Sequence, residues 1–166
     1  MVVRILILII LLAVAVVIVW AQMRTWEMEK RPEQALFASG SATLPKENYS
    51  YKGSSGEYKG SWQGKEFLPD GKGVNAFRQG PGMFIEQPSF YTKYPFHYYV
   101  GEAVRDNDLQ VVVLDYNQPG NPWWLRFIRD EMVATGEHTY LGKVHVRFLP
   151  NYYFTLGYFT LELPAE

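Results

Sequence analysis

The chain contains no cysteine. That excludes disulfides, thiol nucleophiles, Cys-ligated metals and a lipidated cysteine anchor. It leaves the compartment open, because a cysteine-free domain is stable in either redox environment. Net charge is also nearly absent, with 16 Lys and Arg against 17 Asp and Glu. A nucleic-acid binder carries a basic excess on its folded part, so no nucleic-acid partner is expected. Histidine is scarce. His97, His138 and His145 lie far apart, with no spacing that would ligate a metal, so no metal site is expected. No Gly-x-Ser-x-Gly elbow occurs. Gly71-Lys72-Gly73 and Gly80-Pro81-Gly82 are too short for phosphate loops and read as turns. No catalytic residue and no cofactor are expected.

What is abundant is aromatic and turn-forming. Aromatics make up 16% of the chain, and 14 Gly and 10 Pro punctuate it. Aromatics favour strands, and Gly and Pro favour the turns between them. The chain's 166 residues make one domain.

The N-terminus is different. Ile5 to Ala21 is a continuous apolar run of 17 residues. As a helix it would reach about 25 Å, close to the thickness of a hydrocarbon core. Arg4 precedes it, and Arg24, Lys30 and Arg31 follow. Trp20 and Trp26 stand where an interfacial aromatic belt would lie. Two readings fit. An uncleaved transmembrane signal anchor over residues 1–23 suits the length. A cleaved signal peptide would use Val19-Trp20-Ala21 as its site. The short tail before the run favours a cytoplasmic N-terminus, which places the C-terminal domain on the periplasmic or extracellular side.

Residues 24–57 are expected to be stalk and linker, with a short polar helix started by Pro32 and ended near Gly40. The β domain is expected over residues 58–166. Its strands are predicted at Tyr58–Trp62, Val74–Arg78, Met83–Glu86, Phe96–Val104, Leu109–Tyr116, 128–134, Thr139–Phe148 and Phe154–Leu163. Leu68-Pro69-Asp70-Gly71 is a turn, because Pro presets φ and Gly permits positive φ. Asn121-Pro122 reads as the start of a short helical turn, with Asn as its cap. Seven or eight short antiparallel strands point to a mainly β fold, a closed barrel or a sandwich, of which the barrel would leave no exposed edges.

Gly60-Ser61-Trp62-Gln63-Gly64-Lys65 is the sharpest local pattern. Glycine beside Trp lets a ring or backbone come close. Gly-x-Trp on a first strand resembles the entry motif of lipocalins and other calycins. That resemblance implies an antiparallel barrel holding a hydrophobic ligand. Residues 58–163 also resemble a poorly characterised family, which implies a shared fold. Its matching features are the same hexapeptide, Asn75-Ala76-Phe77, Asp115-Tyr116-Asn117, Arg129-Asp130-Glu131, Tyr140-Leu141-Gly142-Lys143 and Tyr158-Phe159-Thr160-Leu161.

Asp115, Asp130 and Glu131 are carboxylates within apolar strands, and each needs a cation such as Lys65, Arg126, Arg129 or Lys143. Arg129 and Glu131 share a strand face that Asp130 does not. His145 points away from the face of Val144 and Val146. Clusters around Tyr98 and Tyr158 offer apolar bodies with polar tips. The candidate ligand-binding residues are therefore Trp62, Lys65, Asn75, Tyr98, Asp115, Arg129, Glu131, Lys143, His145 and Tyr158. Three functions compete. The leading one is a membrane-anchored binding module for a hydrophobic or amphipathic small molecule or a lipid surface. The alternative is an accessory subunit that docks a membrane-protein partner. The third is an enzyme using Asp115 or Glu131 as base.

Overall fold

In the computed structural model, which describes residues 2–55, 60–79 and 89–164, the apolar run continues into the polar residues as one helix, α1 (Val2–Glu29). No proline or glycine interrupts the sequence before Pro32, so nothing stops the helix at the end of the apolar stretch. The part up to Trp20 is largely exposed and reaches a mean hydropathy of 3.4. It is long and apolar enough to cross a membrane. The buried residues of α1 are Ala21, Thr25 and Met28. Their spacing of four and three places them in one stripe. A short second helix, α2 (Pro32–Ala38), follows with Pro32 in its first turn and Phe37 buried.

Eight antiparallel strands then wind in sequence order into a closed barrel. They are β1 (Tyr49–Ser54), β2 (Trp62–Leu68), β3 (Lys72–Gln79), β4 (Ser89–Glu102), β5 (Gln110–Asp115), β6 (Ile128–Ala134), β7 (Thr139–Leu149) and β8 (Tyr152–Glu162). The β2–β3 turn uses Asp70 and Gly71 at φ of 61° and 67°. Two successive positive φ values match the twist of a tight hairpin. The barrel closes by a short β8–β1 seam of three pairs, Lys52 with Glu162, Gly53 with Leu161 and Ser54 with Thr160.

Side chains alternate across the wall. Phe67, Phe96, Leu114, Met132 and Leu161 point inward and pack together. Val111, Val113, Val133 and Leu141 point outward, yet they are buried too, beneath Met28 of α1 and Phe37 of α2. This explains why β5 is apolar almost throughout.

Several expectations change. Residues 24–57 are not a free stalk and linker. Residues 24–29 complete α1, α2 lies against the barrel's outer wall, and Tyr49–Ser54 is the first barrel strand. The barrel thus begins before residue 58. The strand expected at Tyr58–Trp62 falls later, at Trp62–Leu68, and β4 starts earlier than Phe96. The Met83–Glu86 strand lies outside the described residues. Asn121 does not cap a helix. Its amide donates to the carbonyl oxygens of Pro95 (2.7 Å) and Tyr116 (2.8 Å), pinning the β5–β6 connection to β4. The helical turn there is a single 3₁₀ turn, Leu125–Phe127.

The two ends of the barrel differ. Trp20 meets Phe154 (6.1 Å between ring centres), Arg24 Nε donates to the Leu156 carbonyl (2.9 Å), and the Tyr158 hydroxyl reaches the Met28 carbonyl (3.3 Å). The helix therefore runs parallel to β8, and the start of β8 lies nearest the apolar segment. This near end also holds the end of β1, the start of β2, the end of β3, the start of β4 and the β5–β6 connection. The far end is crossed by residues 41–47. Ser41 bridges to Ala134, the Tyr140 hydroxyl donates to the Leu44 carbonyl (3.2 Å), and the Lys46 N–H donates to the Tyr51 hydroxyl (3.0 Å).

Gly64 sits at a β-bulge with φ of 147°, where an added Cβ would lie 1.9 Å from the Tyr51 carbonyl oxygen. Gly64→Ala is therefore expected to cost about 3 kcal/mol, because neither backbone can yield without unpairing β1 from β2. Thermal unfolding followed by circular dichroism measures this. Gly120→Ala, whose Cβ would meet nothing within 4 Å, should leave the midpoint unchanged.

Candidate functional site

Strand alternation aims three polar side chains into the barrel at mid-height, Lys65 from β2, Asn75 from β3 and Asp130 from β6. Tyr116, one residue past β5, adds a fourth. The Lys65 ammonium donates to Asp130 Oδ2 (3.1 Å), Asn75 Oδ1 (2.9 Å) and the Tyr116 hydroxyl. Tyr116 donates to Asp130 Oδ2 (3.1 Å), and Asn75 Nδ2 donates to the Tyr94 carbonyl (3.1 Å). All three Lys65 protons are thus engaged. The rings of Trp62, Phe96, Tyr116 and Phe159 lie 5.1 to 5.5 Å from Nζ, near enough for cation–π attraction. Burial lowers the Lys65 pKa, against the opposing pull of Asp130. Burial also raises the Tyr116 pKa well above the ordinary phenol value, and the Asp130 charge raises it further. The phenol stays protonated. One atom of the cluster stands apart. Asp130 Oδ1 is buried and has no hydrogen-bond partner among the described residues.

This cluster floors a cavity of about 270 Å³. The cavity wall is apolar, built from Trp62, Phe77, Tyr94, Ile128, Val144 and Phe159, with Ser55 and Leu125 completing it. Below the floor, the far half of the barrel is solid with Phe67, Phe96, Val112, Leu114 and Met132. Trp62 is a wall of the cavity. Its Nε1 donates to Asn75 Oδ1 (3.2 Å), and its ring lies edge-on to Phe159. The ring also covers Gly53, where a Cβ would come within 2.4 Å of it. Tyr94 has φ of 63° immediately before Pro95. A bulky residue in that region is strained, by about 1–3 kcal/mol. Asn75 holds its carbonyl in place.

Of the ten residues expected to bind a ligand, Trp62, Lys65 and Asn75 reach this cavity. Tyr98 points inward but toward the far end, where its hydroxyl donates to the Leu68 carbonyl (3.1 Å). Burial and the Glu47 charge push its pKa up to about 12. Asp115 lies on the outer wall, in a groove of about 200 Å³ with Arg126, Arg129 and Arg147.

Glu131, Lys143, His145 and Tyr158 are also on the outer wall, and all four are buried. Glu131 Oε1 accepts from Arg129 Nε (2.8 Å) and the Val104 N–H (3.0 Å), and Oε2 lies 3.3 Å from His145 Nε2. His145 Nδ1 is 3.2 Å from the Thr155 hydroxyl. Lys143 pairs with Asp106 and lies 4.3 Å from the centre of the Phe37 ring. Tyr158 donates to Gln34 Oε1 (2.9 Å). Tyr158 and Lys143 hold α1 and α2 to the barrel, Glu131 and His145 pair with each other on the same wall, and none of the four faces the cavity.

Asp130 and Tyr116 were absent from the expected set. Asp130 follows from the opposite-face rule once Lys65 is known to point inward. Tyr116 stood out only at the end of an apolar strand and within Asp115-Tyr116-Asn117, neither of which points to a cavity floor. Among the described residues no group of three or more His, Asp or Glu is placed to hold a metal. Neither carboxylate offered as a base stands in the cavity, and Asp130, which does, is neutralised by Lys65. No family model, no curated protein and no solved structure matches the chain.

Two outcomes follow. Lys65→Met leaves Asp130 as an uncompensated buried charge and should cost about 3–5 kcal/mol. The double variant Lys65→Met/Asp130→Leu should recover most of that loss in chemical denaturation. The second concerns Glu131. Its burial alone would raise its pKa, but His145, Arg129 and the Val104 N–H more than offset this and hold it below the ordinary value. A carboxylate depressed on folding stabilises above its unfolded pKa and loses that contribution as pH falls through the folded one. The melting-point gap between wild type and Glu131→Gln should therefore shrink as pH falls below about 4.3.

Proposed function

We propose that this chain is a binding module that its N-terminal helix holds at a membrane, with the barrel on the periplasmic or extracellular side. The barrel takes the polar head of a small amphiphile. The observation that carries this reading is the cavity itself, an apolar-walled space with a buried polar floor. A site built this way suits a ligand with an apolar body and a polar end. At about 270 Å³ it lies at the lower edge of small-molecule sites, so it admits a head group and the first carbons behind it.

The floor also selects the head. The three protons of Lys65 are spent on Asn75, Tyr116 and Asp130, which leaves none for an incoming anion. Among the described residues Asp130 Oδ1 is an acceptor lacking a donor, and a buried acceptor left unpaired is costly. A hydroxyl or ammonium head satisfies it. A carboxylate head would instead bring like charge against Asp130.

The test is native mass spectrometry of the detergent-purified full chain incubated with dodecanol, dodecylamine or dodecanoate. Adducts with the alcohol and the amine, lost in the cavity-filling variant Val144→Phe, are expected. A preference for dodecanoate would overturn the head-group assignment. Adducts that survive Val144→Phe would overturn the site. An empty chain that copurifies with a stoichiometric protein would instead favour the accessory-subunit reading.

A further inference from the structure

The cavity and the membrane helix lie at the same end of the molecule. The apolar segment of α1 projects past the start of β8, with Trp20 against Phe154. The cavity wall is drawn from that same near end. Trp62 begins β2, Ile128 begins β6, and Leu125 belongs to the β5–β6 connection. The far end is the one crossed by residues 41–47.

Large apolar side chains stand in the open at both ends, with Leu44, Tyr49 and Leu68 at the far one, but the most exposed ones of the barrel are at the near end. Trp123 is 75% exposed and Phe90 72%, and Trp124, Phe127, Leu149 and Trp20 are exposed as well. Scattered apolar residues on a surface need no explanation, but three tryptophans and two phenylalanines gathered at one end do. Trp and Tyr prefer the headgroup region, where an apolar ring and a polar tip are both satisfied. Cations accompany them. Arg147 lies over the Phe127 ring and Arg78 over the Phe90 ring, while the far turns carry Asp70, Asp106, Asp108 and Glu137.

We infer that the near end of the barrel docks onto the bilayer that α1 crosses, with Trp123, Trp124, Phe127 and Leu149 seated in its interface and the cavity facing the lipid. This rests on α1 spanning the membrane. The direction of α1 then fixes the occupant. A helix about 25 Å long over its 17 apolar residues fills the hydrocarbon core. Its last apolar residues, Trp20 and Ala21, then lie at the surface, level with the start of β8. The near end has no room to stand off from that surface. A ligand entering the cavity comes out of the bilayer and not out of bulk water.

The native lack of cysteine makes the test direct. Single variants Trp123→Cys, Leu149→Cys, Glu137→Cys and Val14→Cys carry a nitroxide label in the full chain, reconstituted in nanodiscs of phosphatidylcholine and phosphatidylglycerol. Power saturation then compares collisions with oxygen, which concentrates in lipid, and with a water-soluble nickel chelate. Labels at 123 and 149 should favour oxygen as the label at 14 does, and the label at 137 should favour nickel. If 123 and 149 read like 137 while 14 reads as lipid, docking is refuted and the anchor stands. If 14 itself reads as water, both fail. If 123 and 149 are shielded from both probes, protein covers this end and the inference is overturned.

Discussion

The hydroxyl of Thr25 accepts a hydrogen bond from the backbone N–H of Thr155, and the same hydroxyl donates back to the Ala21 carbonyl. This small exchange joins a helix to a barrel wall at a place prepared for it. The β7–β8 ladder slips between Val144 and His145, so that Leu156 is left over on β8. A bulge frees backbone groups from the ladder, and buried backbone groups must find partners. Here Thr25 takes the Thr155 N–H and Arg24 takes the Leu156 carbonyl. Once these bonds and the Ala21–Thr25–Met28 stripe are made, α1 can lie only along β8. The placement of α2, the burial of the outer wall and the position of the cavity relative to the apolar segment follow from that contact.

The same contact explains what could be read from the sequence. Turns were legible because their chemistry is local, as at Pro69-Asp70-Gly71. Alternation was legible in β8, where Phe159 and Leu161 go inward and Tyr158 outward. Alternation could not say which face was the inside. In an ordinary barrel the polar face is wet, so His145, Lys143 and Glu131 looked like candidates for a polar pocket. That wall is buried on the outside instead, with Lys143 against Phe37 of α2 and Glu131 paired with His145 and Arg129. Only half of the cavity floor was legible. Lys65 and Asn75 were singled out, whereas Asp130 was seen as a carboxylate needing a cation but not as part of a site. Tyr49–Ser54 was missed because its Ser, Gly and Lys content is that of a linker. It becomes a strand only because the edges of β2 and β8 wait for it.

An interior of two halves is an unusual use of a small barrel. Eight strands enclose just enough space for side chains to fill it, and the far half is filled in that way by aromatic and branched residues. At mid-height the filling changes to four hydrogen-bonded polar groups. Replacing such a cluster by apolar residues is often neutral or stabilising, so stability alone does not account for it. Tyr94 adds a strained backbone beside the same cavity, and strain of this kind gathers at functional places. Cost and strain thus fall together on the part of the barrel that is not solid.

The unbroken course of α1 makes it a ruler as well as a tether. Each residue inserted or removed where the docking stripe meets the apolar run, at Ala21, changes the height by about 1.5 Å and the rotation by about 100°. Around a helix that meets only lipid, the rotation is silent and the height alone counts, since a bilayer is the same from every azimuth. Around a helix that meets another protein, the rotation counts most. The register of this one joint therefore encodes which surroundings the helix was built for. Where lipid alone surrounds it, such a helix tolerates substitution along its apolar segment far more readily than a change in length.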